Sequence, residues 1–182
     1  MRGAINYTYS IGICSLIIKL ACIFIVIVYN NFKRRTIMIN VFDVASYILD
    51  KLGTVTTMKL QKLVYYCQAW SLVWDDEPII SNEFEAWING PVCRELYNAH
   101  KHKYRVTRGE FDTKKSGEAL TKIQTETIDA VLDYYGDKEP HYLIELTHKE
   151  EPWKFARGDC KDNDYSNNVI TKESMLKYYS EL

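Results

Sequence analysis

The chain has 182 residues, 47% hydrophobic and 26% charged, which bounds it to one ordinary domain plus an extension. Its net charge of −1 conceals an asymmetry: residues 1–37 hold Arg2, Lys19, Lys33, Arg34 and Arg35 and no acidic residue, which leaves residues 38–182 with 18 basic against 24 acidic residues, net −6. A domain this acidic argues against generic nucleic-acid binding, which needs a concentrated positive surface. Five scattered cysteines without a CxxC pair argue against a disulfide scaffold and suit a reducing compartment.

In chain order, the first feature is the apolar run Ile11 to Tyr29, 19 residues interrupted by Lys19. It is just long enough to cross a bilayer, although a mid-span lysine is costly there. Lys33-Arg34-Arg35 would hold the following residues in the cytoplasm. No small-x-small cleavage site precedes that cluster, so a secretory signal fits poorly. The genetic code offers a second reading. Lys-Arg-Arg can be encoded AAA-AGG-AGG, a purine-rich ribosome-binding sequence, and the codons of Thr36 and Ile37 then space it from the ATG of Met38. We take Met38 as the start and 38–182 as the domain. The alternative is a membrane-anchored interaction protein, and membrane contact is expected only if residues 11–29 are translated.

Asn40, with Asp43 three residues on, predicts a capped helix over about 41–52, stopped by Gly53. Thr56-Thr57 caps the next, whose stretch MKLQKLVYYCQAWSLVW (58–74) is apolar nearly all round and therefore central. Gln61, Tyr65 and Gln68 share a narrow sector of it, either as a buried hydrogen-bond network or as a partner-facing edge. Asp75-Asp76 and Pro78 end the helix. Glu83 to Ile88 alternates as a short strand, with Pro78–Ile80 as a candidate mate. Asn89-Gly90-Pro91 then reads as a corner, with Pro91 opening a helix over about 91–104. Residues 102–117 read as a solvated loop or loose hairpin. Thr121 and Gln124 form a capping box for a helix ending at Gly136. Pro140 and Pro152 open two short helices. Thr171 caps the last, 172–181, with Met175, Leu176 and Tyr179 as its buried side. The fold class is mainly α, with a short two-stranded β element before the Gly90-Pro91 corner.

The chemistry is sparse. No phosphate-binding glycine loop, GxSxG elbow, HExxH or dinucleotide fingerprint is present. His100 and His102 point to different helix faces, and His141 and His148 lack acidic or cysteine partners at ligand spacing. Cys67 or Cys93 with His100 is the one conceivable nucleophile, but both cysteines sit in apolar settings that suit small buried side chains. Asp75-Asp76 and Glu150-Glu151 read as solvated pairs. No catalysis, metal or cofactor is expected. The 14 tyrosines and four tryptophans are the unusual feature. Trp70, Trp74, Trp87 and Trp153 are expected in the core, with an aromatic partner surface as the alternative. The first two helices also suggest a helix-turn-helix DNA regulator, but the second is too apolar to lie in a groove.

Three motifs together, TTMKLQKLVYYCQAW (56–70), EAWINGPVCRELY (85–97) and THKEEPW (147–153), resemble the SocA-like antitoxin family, the Panacea domain, whose phage and mobile-element members are often labelled GepA. The resemblance spans about 38–182. It implies a mainly α-helical, cytoplasmic antitoxin that binds and neutralises a protein toxin from an adjacent gene. One implied style of action is an adaptor that delivers the toxin to a ClpXP-type protease. The family pattern falls on Leu60, Gln61, Lys62, Tyr65, Tyr66, Ala86, Trp87, Gly90, Pro91, Val92, Pro152 and Trp153. Gly90 and Pro91 shape the corner. Gln61, Lys62, Tyr65 and Tyr66 are the expected partner contacts, with Gln68, Trp87 and Trp153 as further candidates. Phage or mobile-element DNA regulation remains the alternative of a different class. The start is tested by the intact mass of the naturally expressed protein. A chain beginning at Met38 is expected, and a peptide from within residues 1–37 would restore the anchor.

Overall fold

Asn40 opens the first helix with its own side chain. Its Oδ1 accepts from the amides of Phe42 (2.9 Å) and Asp43 (3.2 Å), and Asp43 Oδ2 accepts from the Asn40 amide at 2.8 Å. These bonds satisfy donors that a helix start leaves without partners. The helix, α1, runs Val41–Leu52 and stops at Gly53, whose φ is +78°. The computed structural model describes residues 39–161 and 163–182. The apolar run 11–29, the basic cluster and Met38 lie outside them.

The order continues with β1 (Val55–Thr56), α2 (Thr57–Trp74), β2 (Phe84–Trp87), β3 (Gly90–Val92), α3 (Arg94–His100), β4 (Arg105–Val106) and a 3-10 turn at Asp112–Lys114. Then follow α4 (Lys122–Tyr135), α5 (Pro140–Lys149), α6 (Glu151–Arg157), β5 (Val169–Ile170) and α7 (Lys172–Tyr179). The fold is mainly α. Thr56, Thr121 and Thr171 each cap the following helix by accepting from its third amide. Among the described residues no helix is long and apolar enough to cross a membrane.

α2 is the axis of the domain. It packs against α1, α3, α4, α5, α7 and β3. Leu60, Leu63, Val64, Tyr65, Tyr66, Cys67 and Ala69 are fully enclosed. Burying an aliphatic side chain of this size contributes about 1.5–3 kcal/mol, so this one helix organises much of the core. Enclosure on every side also removes α2 as a groove-reading DNA helix.

The β element is larger than expected and differently paired. β2 and β3 form a hairpin through Ile88-Asn89, with Trp87 opposite Gly90 and Glu85 opposite Val92. β5 joins the other side of β2, giving the antiparallel order β3-β2-β5. Pro78–Ile80 is not a strand; the Ile80 amide donates instead to Gln68 Oε1 at 3.0 Å. Gly90-Pro91 lies within β3 and opens no helix, which begins only at Arg94 and ends at His100. Proline suits this edge strand because it has no N–H to donate. The 102–117 segment is also more ordered than a solvated loop. β4 pairs with β1, and buried Phe111 rests on Phe42 at 5.6 Å. In α7, Met175 and Tyr179 are buried but Leu176 is 40% exposed, being a quarter-turn off that face.

Gly90 carries two constraints. Its φ is +92°, and an added Cβ would lie 2.7 Å from Thr147 Oγ1 and 2.8 Å from Lys62 Cε. Gly117 has φ +84° but open space around it. Left-handed backbone costs a non-glycine residue about 1–2 kcal/mol, and overpacking adds about 1–3 kcal/mol. Urea unfolding is expected to show Gly90→Ala losing about 2–4 kcal/mol and Gly117→Ala clearly less. Equal losses would mean that β3 does not press on Lys62 and Thr147.

Candidate functional site

The three motif segments converge on α2 through buried polar bonds. Lys62 is fully enclosed, and its Nζ donates to the Pro91 carbonyl at 2.9 Å. Burial lowers its pKa to about 7, because no carboxylate offsets the lost hydration. Gln61, 2% exposed, grips the next peptide. Its Oε1 accepts from Cys93 N (2.9 Å), and its Nε2 donates to Cys93 O (3.3 Å) and lies 2.9 Å from His100 Nε2. That geometry requires His100 Nε2 to accept, so the ring is neutral, consistent with the burial that lowers its pKa. Together Gln61 and Lys62 hold the chain extended from Pro91 to Cys93, which delays α3 until Arg94.

One turn on from Lys62, Tyr66 donates to Glu150 Oε1 at 3.1 Å and Tyr179 donates to Glu150 Oε2 at 2.6 Å. Glu150 is 4% exposed, so it is no solvated neighbour of Glu151. Burial raises its pKa to about 7 against the two phenol hydrogen bonds, which pull it back down. Burial and the nearby carboxylate push both phenols well above their usual range. Tyr66 stacks on Tyr135 at 4.0 Å, and Tyr65 meets Phe84 edge-on at 5.4 Å. These contacts tie α2 to α4, α7 and β2.

A third set fastens the hairpin to α6. Trp153 Nε1 donates to Trp87 O at 2.9 Å. Buried Arg157 lies over the Trp153 ring at 5.1 Å and donates to the carbonyls of Ala86, Lys161 and Asp164. Tyr179 is on the buried side that the helical spacing predicts, whereas the interior roles of Glu150 and Arg157 are not expected from the sequence; Glu150 carries a signal as the residue before a proline-containing helix start.

The expected partner contacts are thus placed inside. Gln61, Lys62, Tyr65, Tyr66 and Gln68 are at most 2% exposed, and Gly90, Pro91 and Trp153 are buried. Gln61, Tyr65 and Gln68 each bond inside the domain, to Cys93 and His100, to Tyr179 and to Ile80 respectively, and not to one another. Trp87 alone of the candidates is partly open. Arg94 lies over its ring at 5.5 Å and is held by Glu85, while Tyr97 and Tyr165 flank it at 4.8 and 6.2 Å. Trp74 is 49% exposed rather than core. Burial raises the thiol pKa of Cys67 and Cys93, which disfavours the nucleophilic thiolate. Among the described residues no group of three His, Cys, Asp or Glu is placed to hold a metal.

Fold and network define a mainly α-helical domain whose polar motif residues face inward. The family described as antitoxin SocA-like, Panacea domain, matches residues 60–154, more than half of the chain, and the chain belongs to that family. The matched stretch lies within the 38–182 span of the resemblance. A curated relative, Antitoxin SocA of Caulobacter vibrioides (strain NA1000 / CB15N), is 29% identical over 124 residues, covering 60% of this chain and 66% of that protein's length. No solved structure matches.

Glu150 binds its proton more tightly in the fold than in the unfolded chain, where the ordinary value is 4.5. The stability linked to it is therefore full below about pH 4.5 and falls as pH rises to about 7, beyond which the loss is complete. Glutamine has no such proton. Relative to the parent, Glu150→Gln is expected to gain up to about 3 kcal/mol across that window and then stay level. Denaturant titrations from pH 4 to 8 read this; a difference independent of pH would mean a solvated carboxylate.

Proposed function

We propose that this chain is the antitoxin of a toxin–antitoxin pair, neutralising a protein toxin from an adjacent gene by direct binding and without catalysis. Its membership of the SocA-like family carries this reading. The interior supports it: the motif residues that might have done chemistry are committed to carbonyls, phenols and rings that hold the fold. Glu150, Lys62, Cys67 and Cys93 are shut away from any substrate. We place the action in the cytoplasm. Of the motif residues, Trp87 has the surface to meet a partner, and the others hold its frame.

Co-expression tests the reading. The adjacent gene's product is expected to stop growth alone, and this chain to restore it and co-purify with the toxin. If no neighbouring gene is toxic, or none is rescued, the reading fails. Toxin half-life separates holding from delivery: delivery to a ClpXP-type protease shortens it, and removing the protease restores it.

A further inference from the structure

The hairpin tip and the end of α3 frame an open cleft of about 290 Å3. Its walls include Met58, Trp87, Ile88 and Tyr97. Ile88 and Tyr97 are 39% and 36% exposed. The floor includes Gln61 and His100, whose facing polar groups are already bonded to each other and to Cys93. A floor satisfied in this way asks for no polar ligand atom. The cleft is small for a drug-sized ligand, and suits one large side chain. Arg94 and Tyr165 extend the Trp87 and Tyr97 wall along the surface. These are the residue types that dominate protein interfaces energetically.

The opposite rim is charged. Lys101 and Lys103 line the cleft itself. The segment 101–108 carries Lys101, Lys103, Arg105 and Arg108 and no carboxylate, within a domain whose net charge is −6. Lys103 is paired with Glu110 and Arg108 with Asp50. Lys101 and Arg105 form no ion pair with a carboxylate among the described residues. An apolar slot lined by Lys101, without a carboxylate partner, and by Lys103 is complementary to a large apolar side chain flanked by carboxylates.

We infer that this cleft is a docking site for an acidic segment of a protein partner, anchored by one large apolar side chain between Trp87, Ile88 and Tyr97 with its carboxylates against Lys101 and Lys103. The inference deepens the antitoxin reading and rests on it for the partner's identity as the toxin. The site's chemistry is tested without any toxin.

The probe is a fluorescein-labelled peptide, Glu-Asp-Glu-Phe-Asp-Glu-Asp, titrated by anisotropy with the full chain. Saturable binding that weakens with added salt is expected. Replacing the peptide's Phe by Ala, or reversing the rim with Lys101→Glu/Lys103→Glu, should each weaken it about tenfold or more. Phe155→Ser, an exposed change on α6 in a different groove, should leave it unchanged. Circular dichroism checks that each variant is folded; the rim residues are exposed, so folding is expected. The inference is overturned by absent binding, by equal binding of the Ala peptide or the rim variant, or by an equal loss in Phe155→Ser. It is also overturned if single-stranded DNA displaces the peptide and binds tighter, which would make the rim a phosphate site. Failed toxin rescue leaves a positive peptide titration standing, and a failed titration leaves the antitoxin reading standing.

Discussion

A lysine head group enclosed by the core and held against a backbone carbonyl is the constraint on which this fold depends. Removing such a charge from water is costly. Lys62 accepts that cost at the centre of the domain, bonded to Pro91 O. The aliphatic stem needs room where it passes the hairpin, and Gly90 supplies it by having no Cβ. Lys62 on Pro91 O and Gln61 on the Cys93 amide hold the chain extended as far as Cys93, whose carbonyl then takes the first helical bond from Tyr97. The hairpin is thus set by α2, and its tip carries Trp87 and Ile88 to the surface.

This arrangement separates two duties within the family motifs. Gln61, Lys62, Tyr66 and Trp153 hold elements together through interior bonds, along with Glu150, Arg157 and Tyr179. The surface near the tip is built from side chains that take no part in those bonds. Changes to Ile88, Tyr97, Lys101 or Arg105 therefore leave the frame intact. A domain organised in this way can alter what it meets at the surface while keeping how it folds.

Much of the helical frame was legible because its signals are local. Asn40 with Asp43, and Thr121 with Gln124, announce helix starts through bonds spanning three residues, and the structure places both capping boxes there. The all-round apolar character of α2 correctly marked it as central. What was hidden depended on distant partners. Gly90-Pro91 has the composition of a corner before a helix, and only the reach of Gln61 and Lys62 keeps it in a strand. The Gln61/Tyr65/Gln68 sector was visible by its periodicity, but periodicity does not say what lies opposite. Glu150 and Glu151 are chemically alike, and only packing sends one inward. β1, β4 and β5 have two residues each, too few to show alternation. Trp87 was chosen by motif, but its setting of Arg94, Tyr97 and Tyr165 joins residues far apart in the chain.

The account stands or falls on Lys62 being an interior ammonium. Its titration can be followed through the Cε chemical shift of isotopically labelled lysine in the folded protein, assigned with Lys62→Met. A midpoint of about 7 is expected. A midpoint at the ordinary 10.5 would contradict the account, because a lysine that titrates normally is in water and cannot be holding Pro91 in the core.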